Sequence, residues 1–165
     1  SDILNLNPFL LLSIMRSESN YSLEVESHVG AIGPMQIMSY TAEEITGAKF
    51  KENQTKIDLH DPKISIAIAA WYLKNLVTYY NGNLLFTIAA YNGGPNAVNR
   101  WIEGHPDFTI DEYYENIPFA ETKKYVAKTL GAMDYYTRIY EDRKKGMNLV
   151  LPLNVKKPNK SVRVY

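Results

Sequence analysis

A chain of 165 residues is long enough for one domain with its own core, burying roughly 70% of the surface its unfolded form exposes. Its 18 basic and 18 acidic side chains balance to zero, which argues against a nucleic-acid partner, because such proteins carry a basic excess or a basic face. The absence of cysteine removes disulfides, thiolate nucleophiles and thiolate-ligated zinc, and no run of 18 apolar residues is available to span a membrane.

The opening SDILNLNPF has neither an initiator Met nor the pattern of a signal peptide, as expected of a processed protein or an excised piece, so export stays open. Asn7 followed by Pro8 reads as an N-cap and a first helical residue. FLLLSIMRSES continues that helix and is apolar nearly all round, which predicts a buried helix ending near Ser19 or Asn20. Thr41 with Glu44 reads as a capping box opening a short helix, TAEEI. Asp61 and Pro62 open PKISIAIAAWYLKNLVTYYN, where Ile64, Ile68, Trp71, Tyr72 and Leu76 recur at helical spacing. Asn81 and Gly82 close it.

LLFTIAAYN is a third apolar segment, ended by Gly93 and Gly94, and Pro95 restarts the chain as PNAVNRWIEG. T-I-D-E, from Thr109 to Glu112, is a second capping box. Pro118 precedes a long helix, FAETKKYVAKTLGAMDYYTRIYEDR, with Val126, Leu130, Met133 and Tyr140 as its inward stripe and Gly131 as a mild defect. Beyond Arg143 the helical period is lost, and the lysine-rich remainder reads as an extended tail docked by Leu149, Val150 and Leu151. No repeat, low-complexity tract or clear strand is present, so the fold class is mainly α around one core.

The chemistry is narrowed by elimination. His28, His60 and His105 are far apart and none belongs to an HExxH motif, so neither a metal nor another cofactor is expected. No phosphate-binding loop, dinucleotide fingerprint or G-x-S-x-G elbow occurs. The 13 tyrosines and 2 tryptophans are a compositional excess that suits either a helical core or a groove for sugars. Glu43, Glu44, Asp111, Glu112, Glu141 and Asp142 fall where solvated charges are ordinary. Glu18 differs, because it ends the most apolar helix, where the dipole opposes a negative charge and burial favours the protonated form. Both effects suit a general acid. An exposed helix end, costing a few tenths of a kcal/mol, fits the spacing as well.

Four blocks bear on that choice. RSES (16–19), SHVGAIGPMQIM (27–38), AAYNGGPNAV (89–98) and IPFAETKKYVAKTL (117–130) resemble, in order, the motifs of the soluble lytic transglycosylase family. The resemblance implies a lysozyme-like (goose-type) helical domain with a substrate cleft over residues 1–143, followed by an extended basic tail over 144–165 packed on it or leaving it. It implies cleavage of the β-1,4 bond between N-acetylmuramic acid and N-acetylglucosamine in peptidoglycan, without water, giving 1,6-anhydro ends. Glu18 would be the catalytic acid and then base. Ser27, Gln36, Met38, Tyr91, Asn92 and Glu121 would bind the glycan. Ser27 also fits a turn serine, Met38 a core residue, Asn92 a helix cap and Glu121 a favourable charge in a first helical turn. Pro34 and Gly94 depart from the family pattern, where leucine and alanine are usual. The implied partners are peptidoglycan glycan strands and an upstream helical domain of the same protein, and the implied place is the periplasm or cell envelope of a bacterium. A hydrolytic muramidase on the same fold, a non-catalytic murein-binding domain and a helical partner-binding module remain as rivals.

Overall fold

The computed structural model describes residues 6–47, 57–140 and 155–164. The chain divides into two units, Ser1–Tyr72 and Leu73–Val164.

In the first unit, α1 (Pro8–Ser19) starts as its sequence dictates: Asn7 Oδ1 accepts the Phe9 N–H at 2.8 Å, and Pro8 occupies the first turn, where no N–H is needed. It stops at Asn20, a left-handed cap with φ 51° whose N–H returns to the Arg16 carbonyl. The expected all-round burial is corrected. Phe9, Leu10, Ser13, Ile14 and Ser19 are buried, whereas Leu11, Leu12 and Met15 are only half-buried. By helical spacing Leu11, Met15 and Glu18 share one face, so the acid sits at the end of a half-covered apolar stripe.

A short antiparallel hairpin follows, which corrects the expectation of no strand. β1 (Ala31–Ile32) pairs with β2 (Ile37–Met38), Ala31 opposite Met38 and Ile32 opposite Ile37, with Glu26 bridged to Ile32. Strands of two residues are too short to print an alternating period on the sequence. Gly33 turns the hairpin at φ 72°, and a side chain there would place its Cβ 2.0 Å from the Leu59 carbonyl oxygen.

β2 runs straight into α2 (Ser39–Thr46), which therefore begins two residues before Thr41. The N-cap is Met38, without a side-chain bond, and Thr41 is buried inside the helix, so the capping box expected at Thr41 and Glu44 does not form. α3 (Pro62–Tyr79) opens with Asp61 Oδ1 accepting the Lys63 N–H at 2.8 Å. Of its expected stripe, Ile68, Tyr72 and Leu76 are buried and Ile64 and Trp71 half-buried.

The second unit is organised by α4 (Leu84–Gly93), whose Asn83 cap accepts the Phe86 N–H at 3.3 Å. Residues 85–90 are all buried, so this helix has no solvent face over that span, as a uniformly apolar segment requires. α5 (Pro95–Gly104) and α7 (Ala120–Tyr140) pack on it. Phe86, Trp101 and Tyr113 stand mutually edge to face, with centroids 5.0–5.9 Å apart, the arrangement that aromatic quadrupoles favour. α6 (Ile110–Glu115) carries the expected capping box: Glu112 N–H reaches Thr109 Oγ1, and the Glu112 carboxylate accepts the Thr109 N–H at 2.8 Å. In α7, Val126 and Met133 point inward as expected and Leu130 is half-buried, but Tyr140 is 69% exposed, because the buried stripe ends at Thr137. Residues 155–164 lie along this unit, the Asn159 N–H donating to the Tyr79 carbonyl and Asn81 Nδ2 to the Lys157 carbonyl. Leu149, Val150 and Leu151, expected to dock the tail, fall outside the described residues.

Candidate active site

The residues expected at the site divide between the units: Glu18, Ser27, Gln36 and Met38 in the first, Tyr91, Asn92 and Glu121 in the second.

Glu18 is half-buried in the last turn of α1. Its neighbour Ser19 is buried and spends its hydroxyl on two carbonyls, Pro34 at 2.8 Å and Met15 at 3.2 Å. That bond pins the Gly33–Pro34 turn to the helix end that carries Glu18. Pro34 therefore does not disturb the hairpin. It is buried, and the carbonyl that proline retains is the one Ser19 uses.

From this anchor the loop is knitted by a few bonds. The Val25 carbonyl accepts the Gly33 N–H at 2.8 Å and Gln36 Nε2 at 2.9 Å, and the second Nε2 hydrogen goes to the Gly33 carbonyl at 2.9 Å. Gln36 itself sits at φ 47°. Its amide nitrogen is thus committed to shaping the loop, and only its carbonyl oxygen is left for a ligand. Ser27 accepts the Ala31 N–H at Oγ, 2.9 Å, and its backbone bonds both Gly30 and Ala31, so it is a turn serine whose hydroxyl proton is still available to donate. Met38 is half-buried and caps α2.

In the second unit, Tyr91 and Asn92 lie half-buried in the last turn of α4. Asn92 is not the helix cap; Gly94 is, at φ 81°. Asn92 Oδ1 instead accepts the hydroxyl of Thr122 at 2.9 Å, joining the end of α4 to the start of α7, where Glu121 stands exposed. Beside this junction an apolar pocket is lined by Gly93, Val98, Trp101, Phe119 and Thr122. Among the described residues no three or more His, Cys, Asp or Glu side chains are grouped to hold a metal ion.

Two groups make bonds that carried no sequence signal. Ser19 was legible only as part of RSES, and its bond spans 15 residues. His60 belongs to no motif. Its Nδ1 lies 2.9 Å from the Leu23 carbonyl and its Nε2 3.0 Å from the Glu26 carboxylate, and its own N–H donates to Asp58 Oδ1 at 2.9 Å. The Leu23 carbonyl and then the Glu26 carboxylate raise its pKa above the ordinary 6.5.

A family model described as "Transglycosylase SLT domain" matches residues 1–114. The chain belongs to this family. Its fourth block, residues 117–130, lies beyond the matched span. The soluble lytic murein transglycosylase of Escherichia coli K12 is 36% identical over 135 residues, 80% of this chain and 21% of that protein. That of Salmonella typhimurium is 35% identical over 139 residues, 82% of this chain and 21% of that protein. Membrane-bound lytic murein transglycosylase C of Cronobacter sakazakii is 28% identical over 78% of this chain and 42% of its own length. Among solved structures, the 70 kDa soluble lytic transglycosylase in complex with bulgecin A superposes with a TM-score of 0.79 at 29% identity, over 94% of this chain and 25% of that one. An inactive Glu-to-Gln mutant of the Pseudomonas aeruginosa enzyme superposes with a TM-score of 0.75 at 31% identity, over 84% of this chain and 22% of that one. The fold is thus the mainly helical one of lytic transglycosylases, and the chain spans about a fifth of the length of the soluble relatives it matches.

Proposed function

We propose that this chain is the catalytic domain of a peptidoglycan lytic transglycosylase, with Glu18 as its acid and then its base. The observation that carries the proposal is membership of the SLT family together with relatives named for that activity. A relative inactivated by one Glu-to-Gln replacement supports a role for an essential glutamate. The position of Glu18 is consistent with the role: the carbonyl end of α1 and a half-covered apolar face disfavour a fixed negative charge, which suits a carboxyl that begins the reaction holding its proton.

The reaction then balances without water. Glu18 delivers its proton to the oxygen linking muramic C1 to glucosamine C4, and the C1–O bond breaks. The C6 hydroxyl of the same muramic residue closes on C1 and returns its proton to the Glu18 carboxylate. The product is a 1,6-anhydro end, and the enzyme is restored. An internal nucleophile removes the need for the second carboxylate that ordinary glycosidases use. We assign Ser27, Gln36, Met38, Tyr91, Asn92 and Glu121 to glycan binding, Ser27 as a hydroxyl donor and Gln36 through its carbonyl oxygen. We place the whole protein in a bacterial periplasm or cell envelope, with glycan strands as its partner and further domains beyond this chain.

Digestion of purified murein sacculi with mass analysis of the products tests the reading. Anhydro ends, one water lighter than reducing ends, are expected. Products that are all reducing muramic ends convert the assignment to a hydrolase. Glu18→Gln should fold normally and lose turnover by at least ~10²-fold; a fully active variant removes Glu18 from the mechanism.

A further inference from the structure

Besides its bonds to Gly33 and Gln36 at Val25, the loop between Glu18 and Ser27 is met by a side chain from a turn more than thirty residues further along the chain. His60, on the turn that leads into α3, meets two acceptors at once: the Leu23 carbonyl at Nδ1 and the Glu26 carboxylate at Nε2. Among the described residues no other hydrogen bond holds either acceptor. Both partners only accept, so both ring nitrogens must donate, and only the imidazolium has two N–H groups. A neutral ring keeps one bond and turns a lone pair toward the other oxygen.

The surrounding charges favour the cation. Glu24 and Glu26 face it from the loop, and Asp58 and Asp61 flank it on its own turn, with Asp58 taking the His60 N–H and Asp61 capping α3. The same turn is fixed against the other side of the hairpin, because the Leu59 carbonyl sits where a Cβ on Gly33 would be. One turn therefore meets the path from Glu18 to Gln36 at two places, residues 23–26 and Gly33.

We propose that His60 is a positioning residue for the Glu18 site: as an imidazolium it clamps residues 23–26, and the segment joining Glu18 to Ser27 is fully ordered only while His60 is charged. The proposal rests on the assignment of Glu18 above. The sign follows from the geometry. The clamp is complete at low pH and opens as the pH rises through the ring's pKa, which both acceptors hold above 6.5.

The test has two arms. Imidazole and amide NMR titration is done on the Glu18→Gln protein, so that Glu18 does not titrate. The His60 ring should show a midpoint above 6.5, and the Leu23 and Val25 amides should shift with that same midpoint. A midpoint at or below 6.5, or loop amides that ignore it, overturns the clamp. In the second arm, turnover of sacculi is followed against pH. His60→Gln should lower kcat between about 10- and 100-fold at acid pH, the range expected when a catalytic group is misplaced by about an ångström. His60→Arg, a permanent cation with several donors, should restore most of that rate and hold it where the wild type fades, so the wild-type to His60→Arg ratio falls with the His60 midpoint. A His60→Gln enzyme with the wild-type rate and profile overturns the proposal. An active Glu18→Gln enzyme defeats the functional assignment instead, and the ring titration still reports on the clamp.

Discussion

Replacing Gly33 by alanine adds one carbon at the tightest point of the hairpin. The magnitude can be assembled from two terms. At φ 72° an alanine occupies the left-handed region, which costs roughly 1–2 kcal/mol. Its Cβ would then stand 2.0 Å from the Leu59 carbonyl oxygen and 2.8 Å from its carbon, where contacts under 3.0 Å are not tolerated. The obstacle is backbone, so one strand must move by about an ångström, an overpacking cost of about 1–3 kcal/mol. The sum, about 2–5 kcal/mol, is a large part of a typical domain stability and should lower Tm by roughly 10 °C. Urea titration and thermal melting measure it, with two built-in controls. Gly82→Ala has the same sign of φ, 81°, but open space, and should cost only the conformational part, about 1–2 kcal/mol. Gly131→Ala, inside α7 with open space and no positive φ, should stabilise by about 0.4–1 kcal/mol. A Gly33→Ala protein no less stable than Gly82→Ala would refute the close approach to Leu59 and, with it, the bracing of the hairpin by that turn.

Ser19→Ala removes the bond that pins Pro34 to the end of α1 and leaves a buried carbonyl without its donor, a loss of about 1–3 kcal/mol by denaturant titration, with a fall in murein turnover because the loop bearing Gln36 is released. Unchanged turnover would show that the loop is positioned by other contacts. At α6, the Thr109 N–H and then its hydroxyl hold the Glu112 carboxyl below its usual 4.5. A depressed pKa stabilises above the ordinary carboxylate value and ceases to do so as the pH falls through the lowered one. The Tm difference between wild type and Glu112→Gln should therefore be present near neutral pH and vanish in acid; a difference independent of pH would mean that the capping box contributes nothing as a charge.

The sequence was most readable where a single residue type has one physical use. Asn7 with Pro8, Asp61 with Pro62, Gly93 and Gly94 with Pro95, and Thr109 with Glu112 each mark a helix end that the structure reproduces. It misled where tertiary context outweighs local chemistry. Thr41 and Glu44 satisfy the capping pattern, yet α2 begins earlier because β2 delivers the chain already extended into it. Tyr140 keeps the phase of the inward stripe, but the stripe ends at Thr137. At the candidate site, the sequence singled out Glu18 by its helix and the family blocks, whereas the bonds made by the residues around it were not readable. Gln36 spends its nitrogen on carbonyls 3 and 11 residues away, and His60 holds a loop 34 to 37 residues distant. Such bonds leave no local period or spacing to read.

The unbroken burial of residues 85–90 has a mechanical meaning for the two residues that follow them. A helix with one wet side can roll toward solvent when a neighbour changes size; α4 over this span has no such freedom, since every direction is already close-packed. Tyr91 and Asn92 are thus carried on a fixed axle, and their aim is set by the core rather than by a surface loop. Adjusting it by mutation within the buried run would cost stability first. The tunable part begins at Gly93, so variation in the aim of Tyr91 and Asn92 should enter through the residues after it and through Thr122, whose hydroxyl donates to Asn92.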